Sequence, residues 1–349
     1  MTAAPMPGPG EMRTEIPWPA GLRPAALSCW VVTDGKIGME SQCVGLAEAL
    51  GLAPEVKRLA TRAPWRWLPP ALWPVPLASL GPAGDRLAPP WPDLVIATGR
   101  QSVAPVLAVK RASRGRVFLV QIQRPGVDPA RFDLVVTPGH DRLAGSNVIA
   151  TLGSMHRVSA ARLAADARAL GHTVAGLPRP LVAVLLGGPN KVYRWTDAVL
   201  DGLADDLGRL CRAHGCGLAI SASRRTGADA YEKLRRRLSG LPAVFWSEGD
   251  GPNPYFAWLA LAEAIVVTAD SVNMASEACS TGKPVFVAAL AGGSDKFRRF
   301  HDELAAKGMT RPFAGRLECW SYPPLDETSR VAREIARRFS ARAAALQGG

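Results

Sequence analysis

The sequence has 349 residues, a length that predicts two domains. Hydrophobic residues make up 48% of it, which is enough for sizeable cores and excludes a largely disordered chain. The formal net charge is +12, so nucleic acid, anionic lipid and phosphorylated small molecules are all candidate partner classes at the outset.

The N-terminal half has the pattern of a parallel sheet covered by helices, because short apolar runs alternate with amphipathic stretches. Residues 1–26 are rich in Pro and Gly and predict a flexible lead-in. Residues 27–170 predict an N-terminal Rossmann-like domain. Its strands are predicted at 27–32, 55–59, 93–98, 117–122, 132–137 and 147–151, and its helices at 40–50, 101–111 and 158–170.

The same rhythm restarts after residues 171–180, a Gly/Pro-rich stretch that predicts a linker. Residues 181–325 predict a second Rossmann-like domain. A last helix within 326–349 is long enough to pack back on the N-terminal domain. Two such domains in tandem predict an interdomain cleft at the carboxyl ends of the strands, where α/β sheets bind ligands. The second domain's strands are predicted at 181–188, 217–221, 243–246, 264–268 and 284–289, and its helices at 196–214, 228–239, 255–262, 272–280 and 296–307.

One stretch, residues 62–80, breaks the pattern and is called the Trp/Pro segment below. It holds three Trp and five Pro, which exclude a regular helix or a central strand. It predicts either an irregular connection packed on the sheet or an apolar surface at an anionic membrane, where Arg62 and Arg66 would meet lipid phosphates.

The distribution of charge and the cysteine pattern limit the classes of partner and the cellular compartment that we expect. The charge is spread evenly, +7 in residues 1–175 and +5 in 176–349, and no zinc spacing or recognition helix accompanies it, so nucleic acid is not expected as a partner. The six cysteines form no C-x-x-C motif, which favours reduced thiols in the cytoplasm. No run of 18 apolar residues occurs, so we expect a cytoplasmic protein, or one peripheral on the inner face of the plasma membrane.

Common catalytic motifs are missing from the sequence. It contains no Walker P-loop, no G-x-G-x-x-G after a strand, no H-E-x-x-H and no G-x-S-x-G. ATPase, dinucleotide-dependent, zinc-peptidase and serine-hydrolase functions therefore lose their main support. Neither a metal nor any other cofactor is expected.

In the second domain, polar loops follow the predicted carboxyl ends of the strands. Polar groups at such an edge of a sheet suit a phosphorylated ligand. Ser271 can cap a helix whose free N–H groups would bind an anion, and Glu277, close to two turns later, could accept bonds from sugar hydroxyls. Equally, Ser271 could be an ordinary cap, Glu277 a solvated carboxylate and the arginines surface charge. The candidate residues are Gly187, Gly188, Asn190, Arg224, Arg225, Asp270, Ser271, Asn273, Met274 and Glu277.

The first domain offers candidate catalytic residues. Asp34 could act as a general base and Lys36 as an electrostatic clamp on developing negative charge, although Asp34-Gly35 could also be only a turn. His140 is a second candidate base, and a lone His is more often structural. The residues predicted to line the acceptor side are Gly35, Arg100, Gln101 and Gln123.

The loops, in their order along the chain, resemble a known family, the mitochondrial-fission family named for the elongated-mitochondria mutant of plants, which has many bacterial members. The resemblance covers residues 29 to about 305. It rests on WVVTDGKIGMESQCVGLAEALGL, LVIATGRQSV, QIQRPGVDPARFDLVVTPGHD, LLGGPNKVYRW, SASRRTGADA, NPYFAWLALAEAIVVTADSVNMASEACSTGKPV and DKFRRFHDEL.

This resemblance implies a glycosyltransferase-B-like fold. The stretch from Thr268 to Val285 also resembles the nucleotide-sugar site of lipid-linked glycosyltransferases, including the one that adds N-acetylglucosamine in peptidoglycan synthesis. It implies that Ser271 and Asn273 contact a diphosphate and that Glu277 binds the ribose. The first loop, residues 34–38, departs from those enzymes, which have a longer glycine-rich loop with a His.

The resulting hypothesis is a metal-independent glycosyltransferase that moves a hexosyl group from a nucleotide-diphosphate sugar to a cell-envelope or lipid-linked acceptor. The alternative is a catalytically silent adaptor that uses the same fold as an interaction platform. Plant members of the family are linked to recruiting a dynamin-related GTPase, and a bacterial-type sequence gives no reason to expect that partner.

Overall fold

The computed structural model describes Trp18 and residues 23–347, apart from the side chains of residues 140, 346 and 347. Most of the predicted lead-in, residues 1–26, lies outside the described part. The described chain forms two compact units. One is Val158–Leu325, and the other joins the residues up to Arg157 with those from Asp326 onward.

The N-terminal unit contains a parallel six-stranded sheet in the order β2-β1-β3-β4-β5-β6. Its central strands β1, β3 and β4 are buried along their whole length, because helices cover both faces of the sheet. Their sequences are therefore nearly continuous apolar runs. Its elements before the second unit are β1 (Cys29–Thr33), α1 (Ile37–Ala49), β2 (Glu55–Arg58), β3 (Leu94–Thr98), α2 (Arg100–Ala112), β4 (Phe118–Ile122), β5 (Leu134–Pro138) and β6 (Val148–Thr151).

The C-terminal unit contains a second parallel six-stranded sheet, in the order β10-β9-β7-β11-β12-β14, and a short antiparallel pair, β8 with β13. The chain then returns to the first unit as α9 (Glu327–Gln347). The elements of the second unit are α3 (Ala160–Leu170), β7 (Leu181–Leu186), β8 (Tyr193–Arg194), α4 (Asp197–His214), β9 (Gly217–Ala222), α5 (Ala228–Arg237), β10 (Ala243–Trp246), α6 (Tyr255–Leu261), β11 (Ala264–Thr268), α7 (Val272–Cys279), β12 (Val285–Ala288), β13 (Ala291–Gly292), α8 (Asp295–Ala306) and β14 (Thr310–Pro312).

Each sheet has one point where the strand order reverses direction. In the N-terminal unit it lies between β1 and β3, and in the C-terminal unit between β7 and β11. Open α/β sheets bind ligands outside the carboxyl ends of the strands at such points. The two points therefore define where a site in each unit is expected.

The boundary between the units differs from the predicted linker at 171–180. It lies between Arg157 and Val158, so α3 belongs to the C-terminal unit. The guanidinium of Arg162 on α3 lies 4.6 Å from the ring centroid of Phe256 on α6, and Trp258 of α6 donates to Thr173 Oγ1 at 2.9 Å. The amphipathic pattern of residues 158–170 predicts an apolar face but does not identify the unit that face packs on.

Helix α9 supplies part of the N-terminal core. Four of its apolar side chains, Val331, Ala332, Ile335 and Ala336, are buried in one cluster with residues of α1 and of strands β1, β3, β4 and β5. Within the described residues, no helix combines the length and the apolarity needed to cross a membrane. Five of the six free cysteines are buried, and only Cys319 is exposed.

Candidate functional site

The reversal point of the C-terminal sheet is occupied by the side chain of Asp270, just after β11. Its Oδ2 accepts bonds from the Gly188 N–H at 2.8 Å and from Arg225 Nη2 at 2.9 Å, and its Oδ1 accepts from Thr268 Oγ1 at 2.8 Å. The Asp270 side chain is fully buried. Asp270 therefore ties together the loops after β7, β9 and β11, and its carboxylate oxygens already have protein partners.

The glycines after β7 are required by this packing. A Cβ on Gly187 would lie 2.1 Å from Asp270 Oδ2, and a Cβ on Gly188 would lie 2.1 Å from the backbone of Arg225. The Gly187 N–H donates to Thr268 Oγ1 at 2.8 Å, so the amides of both glycines are bonded within the protein. The two residues allow close approach of three loops, and their amides are not free to hold an anion.

The two arginines after β9 have different surroundings. Arg225 is held by Asp270 and by the Gly188 carbonyl, which accepts from Arg225 Nη1 at 2.8 Å, while 44% of its side chain stays exposed. Arg224 is exposed and lies 3.5 Å from Glu248 Oε2. Arg225 thus presents an oriented positive charge at this edge of the sheet, and Arg224 belongs to a solvated ion pair worth little to stability.

Helix α7 starts at the same edge. Ser271 caps it by accepting from the Met274 N–H at 3.3 Å, and Ser271 itself is buried. The first amides of a helix have no intrahelical acceptor, so the start of α7 carries partial positive charge beside Arg225. Asn190 holds the turn before β8, because its Oδ1 accepts from the Val192 and Tyr193 amides. Asn273 and Met274 lie in the first turn of α7 and are partly buried.

Glu277, nearly two turns into α7, is paired with Tyr255 at the start of α6. The Tyr255 hydroxyl donates to Glu277 Oε2 at 2.5 Å. Burial raises the pKa of Glu277 to about 7, and the bond from Tyr255 opposes that rise. Burial and the neighbouring Glu277 also raise the pKa of Tyr255 well above its ordinary value. Glu277 is thus a positioned carboxyl group, in contrast to the solvated helix carboxylate that its sequence position also allowed.

The reversal point of the N-terminal sheet holds Asp34, just after β1. Its side chain is about nine-tenths buried, Oδ2 forms an ion pair with Lys36, and Oδ1 has no hydrogen-bond partner among the described residues. A Cβ on Gly99, which follows β3, would lie 3.9 Å from Asp34 Oδ1. Burying a carboxylate oxygen without a hydrogen-bond partner costs folding free energy. Asp34 Oδ1 is therefore a candidate to accept a hydrogen bond from a ligand.

Two other predicted residues of this unit, Gly35 and Arg100, are bonded within the protein. Gly35 has a φ of +79° and its N–H donates to Thr33 Oγ1 at 2.7 Å. The Arg100 guanidinium donates to the carbonyls of Arg66 and Trp67 at 2.6 and 3.4 Å, so it holds the Trp/Pro segment. Gln101 and Gln123 are partly buried beside the same strand ends. The side chain of His140 lies outside the described residues.

Two residues of the C-terminal site, Tyr255 and Thr268, lie in the predicted polar loops but are not among the candidate site residues. The motif NPYFAW contains Tyr255, but its contact with Glu277 joins positions 22 residues apart, and no local pattern predicts that pairing. In the described chain, no three His, Cys, Asp or Glu side chains come close enough together to hold a metal ion.

Comparison with known proteins identifies the family of this chain. The family model described as "Mitochondrial fission ELM1" matches residues 37–339. The chain belongs to this family. Mitochondrial fission protein ELM1 of Arabidopsis thaliana is 36% identical over 282 residues, which cover 73% of this chain and 66%, just under two thirds, of the plant protein. An uncharacterised Rickettsia prowazekii protein is 25% identical over 359 residues, covering 88% of this chain and 98% of its own.

A solved structure resembles the whole fold of this ELM1-family chain. The UDP-GlcNAc 2-epimerase of Methanocaldococcus jannaschii aligns with a TM-score of 0.51 and 12% identity, over 93% of this chain and all of that chain. At this identity the likeness concerns the fold alone. The predicted family and the predicted class, two Rossmann-like domains of the glycosyltransferase-B-like type, are both confirmed.

Proposed function

We propose that the chain binds a nucleoside-diphosphate sugar at the carboxyl edge of its C-terminal sheet and transfers the sugar to an acceptor hydroxyl. The observation that carries the proposal is that three groups of different chemistry share this edge. These are the positive start of α7 at Ser271, the oriented Arg225 guanidinium and the Glu277 carboxyl. The first two suit a diphosphate and the third suits the hydroxyls of a ribose. The likeness in fold to a UDP-GlcNAc 2-epimerase agrees with this class of ligand.

In this proposal Arg225 and the start of α7 stabilise the leaving diphosphate, a role that oriented positive groups can fill. A general base accepts the proton of the acceptor hydroxyl. The hydroxyl oxygen then bonds to the anomeric carbon of the sugar. The bond from that carbon to the diphosphate breaks, and both of its electrons leave on the diphosphate oxygen.

Binding is tested by thermal denaturation with UDP, ADP, GDP and TDP and with the matching nucleotide sugars. At about 100 times its Kd a ligand adds ~2.7 kcal/mol to the free energy of unfolding, so the cognate nucleotide should raise Tm by several degrees. Glu277→Ala should weaken the nucleotide by about tenfold or more and leave inorganic pyrophosphate unchanged. Glu232→Ala, on the exposed face of α5, is the matched control.

Two results would contradict the proposal. The first is the lack of any Tm rise with every nucleotide and nucleotide sugar at millimolar concentration. The second, which concerns the ribose contact alone, is an equal loss of nucleotide and pyrophosphate binding in Glu277→Ala.

One observation favours an adaptor function instead. The charges at both strand edges are largely paired within the protein, Asp270 with Arg225 and Asp34 with Lys36, and the family is named for mitochondrial fission. Such an adaptor is catalytically silent and uses the fold as an interaction platform, so it requires no nucleotide sugar. The thermal denaturation series therefore separates the two functions directly.

A further inference from the structure

The Trp/Pro segment forms an ordered loop with both ends fixed. Thr61 and Leu80 form an antiparallel bridge at its base, and the Arg62 N–H donates to the Ser79 carbonyl at 3.0 Å. Inside the loop, Trp73 is buried and its Nε1–H donates to the Leu68 carbonyl at 3.3 Å. The five prolines limit the backbone further, so the loop loses little conformational freedom when it contacts a partner.

This loop exposes large apolar side chains to solvent. Trp67, Leu72 and Val75 are 62%, 61% and 61% exposed, and Ile37, the first residue of α1, is 56% exposed. Within the described chain these four are the exposed large apolar side chains. Exposure above half means that the three loop side chains protrude, which suits insertion into a soft phase better than the lining of a groove.

The sequence around the three protruding side chains carries positive charge and no negative charge. Arg62 and Arg66 are exposed, and the Arg66 guanidinium lies 4.5 Å from the ring centroid of Trp67. The sequence from Leu59 to Gly84 contains no Asp or Glu. An apolar tip that contains Trp, flanked by arginines without acidic neighbours, is complementary to an anionic lipid surface.

The loop also lies near the reversal point of the N-terminal sheet. Arg100, which opens α2, donates to the carbonyls of Arg66 and Trp67, and the residue before it, Gly99, borders Asp34. The exposed tip is thus attached to the edge of the sheet that carries Asp34.

We propose that Trp67, Leu72 and Val75, with Arg62 and Arg66, form a docking surface for anionic lipid bilayers. Trp67 and Leu72 enter the interfacial region, and the two arginines contact lipid phosphates. The surface holds the N-terminal unit on the membrane with its Asp34 edge near the headgroups. This interaction does not depend on nucleotide binding.

The test is sedimentation of the full chain with vesicles of phosphatidylcholine, alone and with about 30% phosphatidylglycerol. Binding should require the anionic lipid and decrease with added salt. The triple variant Trp67→Ser, Leu72→Ser, Val75→Ser should bind at least roughly tenfold more weakly, because exposed apolar area no longer enters the bilayer. The substituted side chains are exposed, so the fold should survive, and circular dichroism checks this.

The contribution of Arg62 and Arg66 to vesicle binding is tested against a control variant with the same net charge. Arg62→Glu with Arg66→Glu should weaken vesicle binding by roughly tenfold or more. Arg235→Glu with Arg236→Glu changes two exposed arginines of α5 and lowers the net charge equally, and it should leave binding nearly unchanged. Equal loss in both double variants would mean that net charge alone attracts the vesicles, which would overturn the proposed surface.

Insertion itself is tested with brominated lipid, which quenches only tryptophans at the bilayer. Trp67→Phe should remove most of the quenching, whereas Trp73→Phe, at the buried position of the same loop, should retain it. Failure of the wild-type chain to bind anionic vesicles, or unchanged binding of the triple variant, would overturn the proposal. Concentration-dependent dimerisation that the triple variant abolishes, without vesicle binding, would assign the surface to a second copy of the chain.

Discussion

At the scale of single residues, the partners of a carboxyl group determine what it can do. Asp270 and Glu277 both follow β11, and sequence position makes them equally plausible ligand contacts. Asp270 accepts three bonds from the protein and is fully buried. Glu277 accepts one from Tyr255 at the site edge. Asp270 therefore holds the loops together, and Glu277 is the one of the two that the proposed function assigns to ligand recognition.

The raised pKa of Glu277 predicts a pH dependence of stability. Its pKa of about 7 in the folded chain exceeds its ordinary value, so the folded state holds this proton more tightly than the unfolded state. The stabilisation from Glu277 is complete below its ordinary pKa and is lost as pH rises to about 7. Thermal denaturation from about pH 5 to pH 8 should therefore show wild type losing stability relative to Glu277→Gln.

The control for this prediction is Glu232→Gln, which replaces an exposed glutamate of the same unit. It should follow the wild-type pH profile. A constant difference in Tm between wild type and Glu277→Gln across this range would mean that Glu277 titrates normally.

At the scale of elements, the turn after β7 shows how three loops are packed at the edge of a parallel sheet. Gly187 and Gly188 bring the β7 loop against Asp270 and against the backbone of Arg225. The Gly187 carbonyl also accepts from Ser223 Oγ and Thr226 Oγ1, each at 2.5 Å. The glycine pair therefore acts in loop packing, and the proposed function assigns the diphosphate contacts to Arg225 and the start of α7.

Gly188→Ala should destabilise the chain by about 1–3 kcal/mol, because the added Cβ would overlap the Arg225 backbone, which cannot move away as a flexible side chain would. Chemical denaturation of full-length variants measures the change. Gly202→Ala is the matched control, since Gly202 lies in α4 with nothing within 4 Å of an added Cβ. It should be neutral or stabilising by up to about 1 kcal/mol. Equal effects of the two changes would contradict the packing argument.

At the scale of the whole molecule, the chain builds its N-terminal unit from segments far apart in sequence. Helix α9 returns after the C-terminal unit is complete and joins the core of the N-terminal one. Glu327 at its start accepts from the Leu152 N–H at 3.0 Å, and Thr328 accepts from the His156 N–H at 3.1 Å. The N-terminal unit is therefore incomplete until the last helix is made.

Ile335→Ala should accordingly lower the free energy of unfolding by about 2–5 kcal/mol, because Ile335 is fully buried in that core. Arg337→Ala, which removes a side chain that is 65% exposed on the same helix, should change it by less than about 0.5 kcal/mol. Denaturant titration followed by hydrogen exchange would show the loss of protection in the N-terminal unit. Equal effects of the two changes would mean that α9 does not contribute to the core.

The order of the strands and helices could be predicted from the amino-acid sequence. Buried parallel strands have short apolar sequences such as Leu181–Leu186, and helices have amphipathic ones. Because both patterns are local, most predicted bounds differ from the observed ones by only a few residues. The sequence also indicated which loops carry polar residues. The short strands β8, β13 and β14 were missed, because two or three residues give no periodic pattern.

The contacts of those polar residues became visible in the folded chain alone. The structure showed that Asp270 and the glycine pair act in loop packing, and that Asp34 Oδ1 has no hydrogen-bond partner among the residues that the structure describes. It also showed that Trp73 is buried and Trp67 exposed within one segment. The physical reason is that these outcomes depend on contacts between distant parts of the chain. Gly188 meets Asp270 across 82 residues, and Arg100 meets Arg66 across 34. Local patterns determine which segments become strands and helices, and long-range packing determines which polar groups remain available to a ligand.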